Sequence, residues 1–190
     1  MFTDTLVTID GSKFKAVNSK ENNYTPKKLQ FHIARVEKHI DDYLTQLATK
    51  DQEENQLADD RPIKEKIDGL KKKLSELKAL EDEINHQPDN QISTTDPDSR
   101  LLVTQGQTRA VCYNVQSAVD TKHHLIVTHE VTNTVDRNQL CRIARKAQDA
   151  VGIKEITVIA DKGYYSGTDI KDTQDAGMTP LVPKGDTVVV

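Results

Sequence analysis

Apolar positions divide the chain into a middle stretch with a helical period and flanks with a period of two. Leu29, Ile33, Val36, Ile40, Tyr43/Leu44 and Leu47 are spaced by alternating fours and threes. Ile63, Ile67, Leu70, Leu74, Leu77 and Ile84 repeat the pattern, with Leu80 as an extra apolar position. A narrow stripe of this kind on an otherwise polar surface predicts two amphipathic helices. Thr25-Pro26 reads as an N-cap followed by proline in the first turn; Pro62 sits similarly, and Pro88 closes the second helix. With residues 51–61 as a polar tip, residues 26–87 are predicted to form an antiparallel helical hairpin.

The flanks read differently. Thr5–Ile9 and Lys13–Val17 alternate and are rich in β-branched residues. Val111–Val119 and Leu125–Val131 predict two more strands, joined by the polar turn Asp120–His124. Asp136–Val151 carries Leu140, Ile143, Ala144, Ala147 and Val151 at helical spacing, with Gly152 as its stop. Ile156–Ala160 is a continuous apolar run, as in a strand buried on both faces. A short helix over Ser166–Ala176, an extended Pro180–Pro183 and the Val188–Val190 tail complete the order. Early strands followed by helix–strand alternation predict an α/β fold with a mixed sheet, interrupted by the hairpin.

Charge supports that division. Residues 26–87 hold 26 of the chain's 56 charged residues and a single glycine, Gly69. Over all 190 residues, 26 Lys+Arg face 30 Asp+Glu, a net charge of −4 that excludes a strongly basic nucleic-acid-coating protein but permits a local basic groove. Hydrophobic residues make up 35%, so the core is small for the length. No apolar run reaches a membrane span and no signal peptide opens the chain. Cys112 and Cys141 form no Cys-x-x-Cys pair, which fits inert thiols and a cytoplasmic setting.

Two aspartates stand where chemistry is commonly placed. Asp161 follows the buried Ile156–Ala160 strand directly, and Asp10 ends or interrupts the first strand. Two carboxylates brought together repel unless a cation lies between them, and oxygen ligands of this kind suit Mg²⁺ or Mn²⁺. Plainer readings stand beside this one. Asp10-Gly11 between alternating apolar residues is a strong hairpin-turn signal, and Asp161-Lys162-Gly163 could be an ordinary strand-to-helix loop. None of the six histidines has zinc-ligand spacing with a cysteine or another histidine. The hairpin reads either as an arm that contacts DNA or a partner, or as a solvated spacer.

Several segments together resemble a known family. Val7-Thr-Ile-Asp10-Gly-Ser-Lys13 is similar to the first-aspartate strand of DDE transposases encoded by bacterial insertion sequences. Thr157-Val-Ile-Ala-Asp161-Lys-Gly-Tyr-Tyr165 is similar to their second-aspartate motif. Thr95–Leu101, Tyr113–Asp120 and Glu130–Asn133 with Asp136 resemble the same group, most closely the insertion sequence 4-like superfamily. The resemblance implies an RNase H-like fold over 1–190, with the hairpin between its first two strands. It implies Asp10 and Asp161 as catalytic ligands of Mg²⁺ or Mn²⁺, and DNA at insertion-sequence ends as partner. Lys13 and Lys162 would be DNA phosphate contacts because they neighbour the aspartates. The family also carries a third acid, a Glu in a Tyr/Arg/Glu/Lys-type motif, and an N-terminal DNA-binding region. Neither appears in these residues, so the chain reads as a truncated fragment not expected to cut DNA alone. A contrasting reading makes it a non-enzymatic coiled-coil module for homodimerisation or regulation.

Overall fold

The computed structural model of the protein describes residues 6–52, 61–104 and 108–184. The chain forms two compact units, one from the segment up to Asn18 together with Asp98 onward, the other from Ser19–Pro97. The elements in chain order are β1 (Leu6–Lys15), β2 (Asn23–Tyr24), α1 (Pro26–Gln52), α2 (Arg61–Asn85), β3 (Ile92–Ser93), β4 (Arg100–Val103), β5 (Arg109–Asp120), β6 (Ile126–Thr132), α3 (Leu140–Val151), β7 (Thr157–Ala160), α4 (Gly167–Asp175) and β8 (Thr179–Leu181).

In the first unit a mixed sheet of six strands has β1 near its centre. One edge of β1 pairs antiparallel with β5 from Val7↔Asp120 to Lys15↔Cys112; the other pairs parallel with β7 from Leu6↔Thr157 to Ile9↔Ala160. β8 continues the parallel side. On its far edge β5 is shared: β4 takes Arg109–Cys112, and β6 takes Asn114–Val119 with a register shift between Ala118 and Val119. The period-two pattern predicts separate strands at Thr5–Ile9 and Lys13–Val17. One ten-residue strand runs through Asp10-Gly11 instead, because the unbroken β5 ladder from Val7 to Lys15 leaves no room for a turn. Thr5 and Val188–Val190 lie outside the described residues.

The core of this unit forms where α3 lays its apolar stripe on the sheet. Leu140, Ile143, Ala144 and Ala147 pack with Val7, Ile9, Ala118, Val158 and Ala160, all buried. Full burial of a Leu or Ile side chain stabilises by about 1.5–3 kcal/mol. Gly152 ends α3 in a left-handed conformation (φ 70°) and donates its N–H to Gln148 O at 3.0 Å. The helix starts at Leu140, not at Asp136 as the apolar spacing suggested. Its first turn has no side-chain cap from Gln139. The buried carboxylate of Asp169 on α4 accepts from Leu140 N (2.8 Å) and Cys141 N (3.1 Å) in its place. A cap supplied from another helix cannot be read from local spacing.

In the second unit, Leu29, Ile33, Val36 and Ile40 of α1 form one buried cluster with Leu77 and Ile84 of α2 and Ile92 of β3. The Glu37–Lys78 ion pair (3.2 Å) and Lys66 over the Tyr43 ring (5.6 Å to its centroid) show contacts running in opposite directions along the two helices. Beneath them β2 and β3 pair Asn23↔Ser93 and Tyr24↔Ile92. Asn22 Nδ2 also donates to Thr95 Oγ1 at 2.8 Å. Of the predicted polar tip, residues 53–60 lie outside the described residues.

Replacing Asp169 by alanine strips the first turn of α3 of its acceptor. We expect a loss of about 1–2 kcal/mol, read as a lower urea midpoint with unchanged slope. An unchanged midpoint would show that the cap contributes nothing.

Candidate active site

β1 and β7 bring the two predicted aspartates to one place. The last parallel pair is Ile9↔Ala160, and Asp10 and Asp161 each follow it by one residue. Both line a cleft of about 640 Å³, together with Ser12, Lys13, Thr104 and Asp136. Each aspartate commits one oxygen locally. Asp10 Oδ1 accepts from Gly11 N at 2.8 Å, and Asp161 Oδ1 accepts from Gly163 N at 2.8 Å. The second bond starts the 3-10 turn Lys162–Tyr164, with Asp161 as its N-cap. A Cβ at position 163 would sit 2.9 Å from that same Asp161 oxygen, so glycine there preserves the cap. Among the described residues no hydrogen-bond partner engages the other oxygen of either aspartate. Hard divalent cations favour such oxygens. No group of three His, Cys, Asp or Glu side chains placed to hold a metal occurs among the described residues.

Behind the aspartates lies a polar network that sequence reasoning missed. Lys13 Nζ donates to Asp136 Oδ2 at 2.6 Å. Asn114 Nδ2 and Gln116 Nε2 donate to Asp136 Oδ1 at 2.8 and 2.9 Å. The Tyr164 hydroxyl donates to Gln116 Oε1. Asn114, Gln116 and Tyr164 are all fully buried. The available signal was polar Asn114 and Gln116 alternating on a strand whose other residues of that parity, such as Ala118 and Cys112, face the core.

The electrostatics follow from these contacts. Burial works against the Asp136 charge, but hydrogen bonds from Lys13, Asn114 and Gln116 outweigh it and hold the carboxyl below the ordinary range. Burial raises the Tyr164 phenol far above its usual value, reinforced by the charges of Asp136, Asp10 and Asp161, so it stays a donor. Lys13, predicted as a phosphate contact, lines the cleft with its ammonium held by Asp136. Lys162 lies exposed in the turn after Asp161. Asp120 is elsewhere: it pairs with Val7 at the far end of β5 and accepts from His123 N (2.7 Å) and Nδ1 (2.9 Å).

Gly11 is explained by space rather than by a turn. A Cβ there would lie 2.1 Å from Asp136 Oδ1 and 2.5 Å from Gln116 Nε2. Gly11→Ala must displace the network, and we expect about 1–3 kcal/mol of destabilisation in chemical unfolding. A neutral result would mean that Asp136 moves aside freely.

The lowered pKa of Asp136 also sets a pH dependence. A carboxylate with a depressed folded pKa stabilises the fold above its unfolded pKa of about 4, and that contribution is lost as the pH falls through the folded value. The stability gap between wild type and Asp136→Asn should therefore be widest at neutral pH and close in acid. A gap constant from pH 7 to pH 2 would show that the charge does not matter.

The sequence model of the family described as transposase DDE domain matches residues 89–188. The match takes in Asp136, Asp161 and the Lys162–Tyr164 turn; Asp10 and Lys13 precede it. Neither curated proteins nor solved structures show a significant match to the chain. More than half of the chain falls within the match, which takes in the part of the cleft formed by Asp136 and Asp161: the chain belongs to the DDE-domain transposases.

Proposed function

We propose that the sheet unit is the RNase H-like catalytic core of an insertion-sequence transposase of the insertion sequence 4-like kind. It would cut and rejoin DNA at the element's ends with Mg²⁺ or Mn²⁺ held by Asp10 and Asp161. The observation that carries this reading is the β1–β7 register, which sets the two aspartates one residue beyond the same ladder pair. The strand order β6-β5-β1-β7-β8, antiparallel across the first three and parallel across the last two, agrees with it.

The bound cations would supply charge stabilisation for in-line attack at a DNA phosphate, first by water and then by the freed 3′-hydroxyl. The chain's own part is to hold two carboxylates in fixed register at the mouth of the cleft. Lys162, exposed in the turn after Asp161, would meet a phosphate. Lys13 would act on DNA only by sharing its ammonium with Asp136.

We read residues 26–87, within the Ser19–Pro97 unit, as an antiparallel hairpin inserted in this core. Burial lowers the His32 pKa, and so do the nearby charges of Lys28, Lys73 and Arg35. Lys28 is committed to the carbonyls of Lys20, Glu21 and Asn23, so Arg35 and Lys73 would be the contacts with DNA backbone; the contrasting reading is a dimerising or regulatory module. The setting would be the cytoplasm; no described helix is long and apolar enough to cross a membrane.

In a longer chain that also carries the third acid, strand cleavage of element-end DNA should require Mg²⁺ or Mn²⁺ and should fall about a hundredfold or more in Asp161→Asn, as expected when several kcal/mol of charge stabilisation is lost. Cleavage that survives chelation, or that Asp161→Asn leaves intact, would defeat this assignment.

A further inference from the structure

We propose that Tyr164, Gln116 and Asp136, closed by Lys13, are positioning residues that fix the separation of the Asp10 and Asp161 carboxylates. The proposal rests on the metal-binding reading above.

The two aspartates are held unequally by the backbone. Asp10 lies inside a strand paired to β5 and flanked by β7. Asp161 stands past the end of β7, at the head of a single 3-10 turn. That turn needs another anchor if the Asp161 carboxylate is to keep a constant distance from Asp10. Tyr164, the last residue of the turn, is fully buried against the α3 core. Its hydroxyl reaches Gln116, and Gln116 is the ladder partner of Gly11, the residue after Asp10.

The turn that carries Asp161 is thus tied to the strand that carries Asp10 through one buried amide. The Gln116 amide cannot rotate without losing both bonds, since its oxygen accepts from Tyr164 and its nitrogen donates to Asp136. Asp136 is fixed in turn by Lys13, three residues beyond Asp10 on β1. A buried chain of mutually satisfied hydrogen bonds rigidifies the groups it joins around one geometry. Partners of this kind commonly govern metal affinity by about 10- to 100-fold.

The test uses Tyr164→Phe, which keeps the ring and removes only the hydroxyl, and Asp136→Asn, both checked by far-UV circular dichroism. In metal-free protein, the NMR amide shift of Gly163 reports the Asp161 hydrogen bond, and Gly152 at the end of α3 serves as the internal control. Mn²⁺ affinity is read by electron paramagnetic resonance, with Asp161→Asn as the ligand-loss control. We expect both variants to move the Gly163 resonance while Gly152 stays put, and to weaken Mn²⁺ binding at least about tenfold. Unchanged Gly163 shift or unchanged Mn²⁺ affinity in Tyr164→Phe, with Asp161→Asn still losing the ion, would overturn the positioning role alone. If wild type shows no Asp161-dependent Mn²⁺ binding, the metal reading fails and this proposal fails with it. Should Asp136→Asn not fold, Tyr164→Phe decides the matter by itself.

Discussion

Pairing along both edges of β1 governs the sheet unit. A strand with an antiparallel neighbour on one side and a parallel neighbour on the other has no freedom to slip, because a one-residue shift would turn Val7 and Ile9 out of the core and bring Asp10 into it. The same pairing sets Asp10 beside the end of β7 and makes Gln116 the partner of Gly11. It also leaves Lys13 pointing at Asp136. Core packing and cleft geometry therefore share one cause.

The cleft combines two kinds of carboxylate. Asp10 and Asp161 each hold one oxygen with a local N–H and lie at the surface of the cleft. Asp136 is enclosed by three donors and balanced by Lys13. A carboxylate so fully engaged is a poor candidate for a cation and a good one for holding its neighbours still. Chemistry alone would not separate these roles, since all three are aspartates within one cleft. Their hydrogen-bond partners do.

Much of this was legible in the sequence. The heptad spacing of Leu29 to Ile40 marks α1, and the apolar run before Asp161 marks β7, because both patterns follow directly from which face is buried. The Asp10-Gly11 pair was ambiguous for a physical reason. Asp-Gly favours turns by its backbone freedom, whereas here glycine is required because Asp136, far along the chain, fills the space a side chain would need. β4 was missed since four residues beside a third of β5 carry too little alternation to register. The Asp169 cap and the Tyr164–Gln116 bond are long-range contacts between residues that look ordinary in their own segments.

The small β2–β3 clasp has a consequence for how the sheet can assemble. Asp10 and its ladder partner Ser117 are 107 positions apart, so forming that pair closes a long loop at an entropic cost of about 4 kcal/mol. Within that loop, Asn22 and Thr95 meet across 73 positions when β2 pairs with β3. The α1 and α2 contacts are local to Ser19–Pro97 and can form before any strand of the large sheet finds its partner. Once the clasp is closed, most of the intervening chain no longer counts as free length. The helical unit, whatever it touches in function, thereby acts as a folded tether that makes a distant strand pairing behave as a near one.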